Sequence, residues 1–100
     1  MKYTVKPTTR FQKDLKRVKK RGYNLDLLTK TIKILASGDS LDPMYKDHAL
    51  VGNFVGCREC HIQPDWLLIY EIIDSDLILY LTRIGTHSDL YNKFLAAHFL

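Results

Sequence analysis

Three of the four histidines in this 100-residue sequence occupy positions from which an imidazole ring can exchange protons. His48 lies among turn-forming residues, His61 ends a run that precedes Pro64, and His87 follows the Gly-Thr pair of the stretch RIGTH. Histidine has an unperturbed pKa of ~6.5, which suits general acid–base catalysis near neutral pH. One histidine alone is more often structural than catalytic. Three at loops and strand ends favour a shared chemical role.

The stretch CRECH, at 57–61, has the spacing that attaches c-type haem. On a strand, however, side chains alternate between faces, so Cys57 and His61 should point one way and Cys60 the other. A zinc site needs converging ligands, and the sequence shows no second ligand pair. We therefore expect no metal and no cofactor at these cysteines, and a buried apolar role for Cys60.

Positive charge is concentrated at the start of the chain. The first 22 residues carry nine Lys and Arg against Asp14 alone, whereas the whole chain has a net charge of +4. Such a segment predicts contact with a polyanion, either nucleic acid or an acidic protein, although solvated helix faces also carry charge runs. The basic residues of interest on the predicted helix are Lys13, Lys16, Arg17, Lys19 and Lys20.

The order of predicted elements indicates one α+β domain. A short strand at 3–6 precedes two helices, which Thr8 or Thr9 and Asn24 should cap. The few residues between the helices predict an αα-hairpin. The segment 37–53 is rich in turn formers and is predicted to be a functional loop.

The second half of the sequence predicts a β-meander, with strands at 54–62, 66–73 and 77–85. The middle strand, WLLIYEII, is apolar along nearly its whole length, as expected for a strand covered on both faces. A C-terminal helix is predicted from Thr86 onward.

The sequence shows no signal-peptide pattern and no apolar run approaching the ~20 residues that span a bilayer. We therefore expect a cytoplasmic protein without membrane contact. A structural disulfide is not expected in that compartment.

Three motifs together carry a family resemblance: YKDHAL at 45–50, RECHIQPDWLLIY at 58–70 and RIGTHSDLY at 83–91. They strongly resemble the YafQ branch of the RelE-like bacterial toxins, the toxin halves of type II toxin–antitoxin pairs. The resemblance runs from about residue 2 to 91 of a single domain at 1–100, so 92–100 form an extra C-terminal tail. It implies two N-terminal helices packed on an antiparallel sheet, a short C-terminal helix, and a ribosome-dependent endoribonuclease that cuts mRNA.

The resemblance carries the family's catalytic positions over to His48, His61, Asp65 and His87. We expect His87 to act as general acid and His61, oriented by Asp65, as the leading candidate for base. His48 would share that duty or hold the phosphate. RNA supplies its own nucleophile, the 2′-hydroxyl, so this chemistry requires no metal.

A second group of residues is expected to support RNA binding and the transition state: Lys46, Arg58, Trp66, Arg83 and Tyr91. The arginines would stabilise phosphorane charge, and Lys46 would hold the RNA backbone. Tyr91 stands where the family commonly has Phe, and either ring can stack on a base. Trp66 opens an apolar strand and fits a core position equally well. The basic helix would bind ribosomal RNA.

Two other functions fit parts of the sequence. A ParE-like toxin of the same fold would poison gyrase, but that branch does not need three histidines at these positions. A non-catalytic module would use the basic arm alone to bind RNA or an acidic protein. For the toxin, the expected partners are mRNA on the ribosome and a cognate antitoxin with an acidic or amphipathic segment.

Overall fold

The computed structural model describes residues 1–91. Its helices and strands, in chain order, are β1 (Thr4–Pro7), α1 (Thr9–Lys20), α2 (Leu25–Ala36), β2 (His48–Ala49), β3 (Arg58–Gln63), β4 (Trp66–Ile73), β5 (Ile78–Gly85) and α3 (His87–Leu90). Within residues 1–91, five strands form one sheet in the order β1-β5-β4-β3-β2, in which only the β1–β5 pair is parallel. Among the described residues no helix has the length and apolarity to cross a membrane.

Local sequence signals set the ends of the first two helices. The Thr8 side chain accepts a hydrogen bond from the backbone N–H of Phe11, and the Asn24 side chain caps α2 in the same manner. Gly22 and Gly38 follow the two helices in the left-handed conformation that glycine adopts without a Cβ penalty. The predicted helical hairpin and its caps are therefore confirmed.

The predicted β-meander is confirmed as β3, β4 and β5, and β4 has the predicted bounds. The predicted first strand of the meander began too early, because Gly52–Phe54 form a 3₁₀ turn and pairing with β4 starts only at Arg58. The segment 37–53 is not all loop, since its residues His48 and Ala49 form β2 against β3. A two-residue strand leaves no periodicity for sequence reasoning to detect.

The main core lies between the helices and one face of the sheet, here called the inner face. Side chains of β4 alternate, so Leu68 and Tyr70 join this core while Leu67 and Ile69 point to the outer face. The outer face carries a smaller apolar cluster, closed by Leu90 of α3. Fully burying one such side chain stabilises a fold by ~1.5–3 kcal/mol, so the inner core dominates the stability.

The last described element is a single helical turn. Thr86 caps α3, and Asp89 completes a capping box by accepting the Thr86 backbone N–H. A Cβ at Gly85 would lie 2.9 Å from the Asp89 side chain, so this close approach requires glycine. The predicted continuation of the helix and the C-terminal tail, at 92–100, lie outside the described residues.

Candidate active site

The three predicted histidines meet on the outer face. His48 lies on β2, His61 on β3, and His87 is the first residue of α3. The ring centroids of His48 and His61 are 6.4 Å apart, and those of His61 and His87 are 5.7 Å apart. The Tyr91 ring continues the row, 6.4 Å beyond His87. Residues that lie up to 43 positions apart in the sequence thus form one row of side chains.

Glu59 lies at the centre of this row, although sequence reasoning did not assign it a role. It is 4% exposed. Its Oε1 lies 3.2 Å from Nε2 of His61 and 3.6 Å from Nε2 of His48, while the Tyr91 hydroxyl donates to Oε2. Within the part of the chain that the structure describes, its ionic partners are these histidines and include no Lys or Arg.

A sequence signal for Glu59 was present. The two-residue period of a strand places Glu59 and His61 on the same face of β3. The contact between Glu59 and His48 could not be predicted from the sequence, because it depends on the short strand β2, in which His48 is the Cα partner of Glu59.

Asp65 orients His87 rather than His61, so the expected pairing was wrong. One carboxylate oxygen lies 2.5 Å from Nδ1 of His87 and also accepts the His87 backbone N–H at 2.9 Å. These bonds, the backbone one first, lower the pKa of Asp65. The register explains the choice: Leu67 pairs with Gly85, which brings positions 65 and 87 opposite each other.

His48 is held by an unusual backbone turn. Its Nδ1 lies 2.7 Å from the carbonyl oxygen of Lys46, so its Nε2 faces Glu59. Lys46 itself adopts the left-handed conformation, with φ 51° and ψ 40°. This conformation costs a residue with a Cβ roughly 1–2 kcal/mol, and such strain concentrates at functional sites.

The structure corrects three expected RNA contacts. Arg83 is 7% exposed and forms two hydrogen bonds with Asp14 of α1, at 2.7 and 3.0 Å, so its guanidinium is committed to the core. Trp66 is 1% exposed and packs edge-on against Tyr23 in the inner core, so its ring cannot stack on a base. Arg58 shares the inner face with Cys60, which separates it from the histidine row.

The predicted basic helix is α1, and its positive charges fall into two groups. Four lysines, Lys13, Lys16, Lys19 and Lys20, are exposed. Arg17 instead forms ion pairs with Asp14 and with Asp89 of α3, at 3.1 and 3.0 Å. Arg21, just after the helix, adds a second pair to Asp89 at 2.8 Å. The arginines therefore link α1 to α3, and the lysines remain available to a partner.

The cysteines take no part in the row of side chains. Cys60 is fully buried in the inner core, and burial raises the pKa of its thiol to about 12. Cys57 lies in the outer apolar cluster. Both are free thiols on opposite faces, as the strand period predicted, so the haem-like spacing of CRECH does not create a site.

Nitrogen and oxygen donors do converge elsewhere. Glu59, His61 and His87 each offer one ligand atom, and these atoms lie within 4.8 Å of one another. Imidazole and carboxylate are ligands of zinc and copper. The geometry thus fits a transition metal at a place different from the one that the cysteine spacing suggested.

Comparison with known proteins identifies the relatives of this fold. Residues 3–92 match the family model described as the bacterial toxin of a type II toxin–antitoxin system, YafQ. The mRNA interferase toxin YafQ of Escherichia coli K12 is 37% identical over 82 residues, which are 81% of this chain and 87% of the relative. A putative toxin YafQ of Haemophilus influenzae is 39% identical over 83 residues, which are 78% and 81% of the two chains.

Solved structures agree with this relationship. A metal-bound toxin from Helicobacter pylori superposes with a TM-score of 0.84 at 44% identity, covering 89% of this chain and 99% of the other. The toxin in the E. coli DinJ–YafQ complex superposes with a TM-score of 0.81 at 33% identity, covering 89% and 98%. The chain therefore belongs to the YafQ family of toxins from bacterial type II toxin–antitoxin systems.

Proposed function

We propose that this protein is an endoribonuclease that cleaves mRNA by attack of the RNA's own 2′-hydroxyl on the neighbouring phosphate. The observation that carries the proposal is the row of three imidazoles around one buried carboxylate. The names of its relatives as mRNA interferases support the same reaction. A toxin that poisons gyrase would not require this row of histidines, and the match to the YafQ family also argues against that alternative.

The proton acceptor in this proposal is Glu59. Both ring nitrogens of His61 face oxygen atoms, with Nδ1 3.3 Å from the carbonyl of Pro64 and Nε2 3.2 Å from Glu59. In this proposal His61 donates to these oxygen atoms, in place of its expected role as base. His61 and His48 present N–H groups beside the phosphate, while the Glu59 carboxylate accepts the hydroxyl proton.

The proton donor in this proposal is His87. Its Nδ1 faces Asp65, which leaves Nε2 directed away from that carboxylate. As the 2′-oxygen forms its bond to phosphorus, the bond from phosphorus to the 5′-oxygen breaks, and Nε2 donates a proton to that oxygen. The products are a 2′,3′-cyclic phosphate and a free 5′-hydroxyl. No step requires a bound metal.

Substitution of His87 tests the proposal. His87→Ala should lower mRNA cleavage at least ~100-fold, because a general acid contributes ~10²–10⁴-fold. His87 is exposed, so the variant should keep its circular dichroism spectrum and melting temperature. The measurement is end-mapping of mRNA with chemical identification of the new 3′ end. Near-native cleavage by a folded His87→Ala protein, or a 3′ end without a cyclic phosphate, contradicts the mechanism.

We further propose that the exposed lysines of α1 bind ribosomal RNA, so that cleavage depends on the ribosome. Four exposed ammonium groups on one helix support such a contact. Replacing Lys13, Lys16, Lys19 and Lys20 by Gln should weaken ribosome binding and flatten its dependence on salt. An unchanged salt slope contradicts the assignment. Cleavage of free mRNA at the same rate as ribosome-bound mRNA contradicts ribosome dependence.

A cognate antitoxin is the proposed protein partner, as in the DinJ–YafQ complex of E. coli. An acidic or amphipathic segment fits the basic surface of α1. Co-expression with the product of the adjacent gene should yield a stable complex that suppresses cleavage. Recovery of fully active toxin from cells that make both proteins would contradict this partner.

A second candidate function is transition-metal binding at Glu59, His61 and His87. The convergence of their donor atoms favours it, and one H. pylori neighbour is described as a copper-bound mutant toxin. A metal there would occupy the groups that the proposed proton transfers require. Micromolar Zn²⁺ or Cu²⁺ should therefore inhibit cleavage, and a chelator should restore it. Stimulation by the metal would contradict a metal-independent reaction.

A further inference from the structure

A groove beside the histidine row has the character of a nucleotide site. It encloses about 470 Å³ between α2, the 3₁₀ turn Pro43–Tyr45 and the β3–β4 turn. That volume falls within the range of small-ligand sites, ~300–1,000 Å³. His61 forms part of its wall, so the groove adjoins one of the proposed catalytic groups.

The lining combines two features that single-stranded RNA recognises. The first is positive charge, from the exposed side chains of Lys30 and Lys46. The second is apolar surface, from Tyr45, Met44 and Ile62, of which Met44 is 76% exposed. Proteins hold single strands by pairing cations with phosphates and aromatic or apolar surfaces with bases.

A neighbouring cavity of about 500 Å³ serves as an internal comparison. It shares Lys46 with the groove and is lined by three carboxylates, those of Asp39, Asp42 and Asp47, against the two cations Lys46 and Arg58. Among the described residues, no carboxylate lines the groove beside His61, whereas Lys30 and Lys46 do. The balance of charge therefore favours phosphate in the groove over phosphate in the acidic cavity.

The order of the histidines gives the strand a direction. The row runs from His48 through His61 to His87. The groove is lined by His61, the middle member, and by Lys46, which holds His48, but His87 is not part of its lining. If His87 protonates the departing 5′-oxygen, the downstream nucleotide leaves past His87. The nucleotide with the attacking 2′-hydroxyl then lies on the side of the row away from His87, next to the groove.

We propose that this groove binds the nucleotide on the upstream side of the cut, an inference that rests on the proposed ribonuclease function. Its base lies against Tyr45 and Met44, and its phosphates lie near Lys30 and Lys46. The groove therefore sets the base preference of cleavage at the upstream position. The strained turn at Lys46 serves both sites, because its carbonyl holds His48 while its side chain lines the groove.

The first test does not require cleavage. ¹⁵N-labelled protein is titrated with a short oligodeoxyuridylate, which lacks the 2′-hydroxyl and cannot be cut. Amide shifts are expected at Lys30, Tyr45 and Gln63, with the amides of Asp39 and Asp42 unchanged. Shifts confined to the acidic cavity, or absent from the groove, overturn the proposal.

A matched pair of variants on α2 sharpens this test. Lys30→Gln and Lys33→Gln remove the same charge from exposed positions one turn apart, but only Lys30 lines the groove. Lys30→Gln should reduce the salt slope of oligonucleotide binding by about 0.7, the value for one phosphate contact on a single strand. Lys33→Gln should change it by less than half as much. Equal effects of the two variants overturn the proposal.

The second test uses cleavage. Tyr45→Leu keeps apolar volume but removes the ring, so base preference upstream of mapped cuts should weaken about tenfold while the downstream preference is unchanged. Tyr80→Leu, on β5 away from the groove, is the control. Active protein whose upstream preference survives Tyr45→Leu overturns the groove proposal but not the nuclease. If the wild-type protein binds the oligonucleotide in the groove but cleaves no mRNA, the nuclease proposal fails and binding in the groove stands.

Discussion

The helix α1 and the outer face of the sheet use buried charge in opposite ways. In α1, Asp14 is 2% exposed and its carboxylate is fully occupied by Arg83, Arg17 and the backbone N–H of Ile84. On the outer face, Glu59 is buried nearly as deeply. Its partners there are two imidazoles, which can give or take a proton, and a phenol that donates a hydrogen bond.

The Asp14–Arg83 pair serves the stability of the fold, whereas the groups around Glu59 can serve proton transfer. A guanidinium has a pKa above ~12 and cannot exchange protons at neutral pH, so the Asp14–Arg83 pair can only hold elements together. Histidine can exchange protons near neutral pH, and the thin apolar cluster behind the row leaves the outer edges of its rings open. Substitutions of the Asp14–Arg83 pair should therefore change the free energy of unfolding, and those around Glu59 should change the rate of cleavage.

The largest expected effect is at the Asp14–Arg83 pair. Asp14→Ala leaves the Arg83 guanidinium buried without its partner and should lower the free energy of unfolding by about 3–5 kcal/mol. Urea denaturation measures the loss. The double variant Asp14→Leu, Arg83→Met removes both charges and should recover much of that stability. If the single and double variants are equally unstable, the cost does not come from an uncompensated charge.

The next largest effect is on the rate of cleavage. Glu59→Gln keeps the shape of the side chain but removes the proposed proton acceptor, so cleavage should fall by at least ~100-fold. The free energy of unfolding should change by less than about 1.5 kcal/mol. Single-turnover kinetics on programmed ribosomes measure the first quantity and urea denaturation the second. A folded Glu59→Gln protein with native activity would remove Glu59 from the mechanism.

Asp89 provides a pH test of the contact between α1 and α3. Burial disfavours its charge, but hydrogen bonds from Arg21, Thr86 and Arg17 outweigh burial and hold the pKa of Asp89 well below its usual range. Its contribution to stability is therefore present above its unfolded pKa of ~3.9 and is lost as the pH falls below that value.

The variant Asp89→Asn should lower the free energy of unfolding by about 1.5 kcal/mol at neutral pH. It should also flatten the decline of stability below pH ~4. Thermal melts from pH 7 to pH 2 measure both changes. Asp39→Asn, in an exposed loop, is the control and should leave the pH profile unaltered. An equally steep acid decline in Asp89→Asn would contradict the assigned role of Asp89.

The smallest expected effect is that of Tyr91→Phe. Burial and the hydrogen bond to Glu59 raise the pKa of Tyr91, so its hydroxyl stays protonated as a donor well into the alkaline range. Without this donor, Glu59 loses one partner and stability should fall by about 1 kcal/mol. The wild-type contribution is present below pH ~10 and is lost at higher pH, so Tyr91→Phe should also weaken the alkaline decline. Unfolding curves at pH 7 and pH 10.5 decide both points.

Sequence reasoning succeeded where the signal was local. Thr8 and Asn24 cap helices through bonds to residues two or three positions away, and the apolar run of β4 marks a central strand by itself. The three histidines were found from residue type and family resemblance. Their convergence, however, is a property of the register between strands, which composition does not encode.

The errors concern partners that are distant in sequence. Arg83 was expected at the phosphate because a cation near a catalytic histidine fits a transition state, but its partner Asp14 lies 69 residues away. Asp65 was paired with its close neighbour His61, whereas its actual partner, His87, lies 22 residues away on another element. Proximity along the chain was therefore a poor guide to which charges meet in the fold.

The carboxylate of Asp89 takes part in two features of the fold, the cap of α3 and the ion pairs that join α3 to α1. The same carboxylate caps the helix that begins with His87 and accepts the arginines at the end of α1. A displacement that pulls the helical hairpin away from the sheet therefore also pulls on the carboxylate that caps that single turn, at whose first position the imidazole of His87 lies. The surface expected to engage large partners and the group expected to release the 5′-oxygen are in this way mechanically connected.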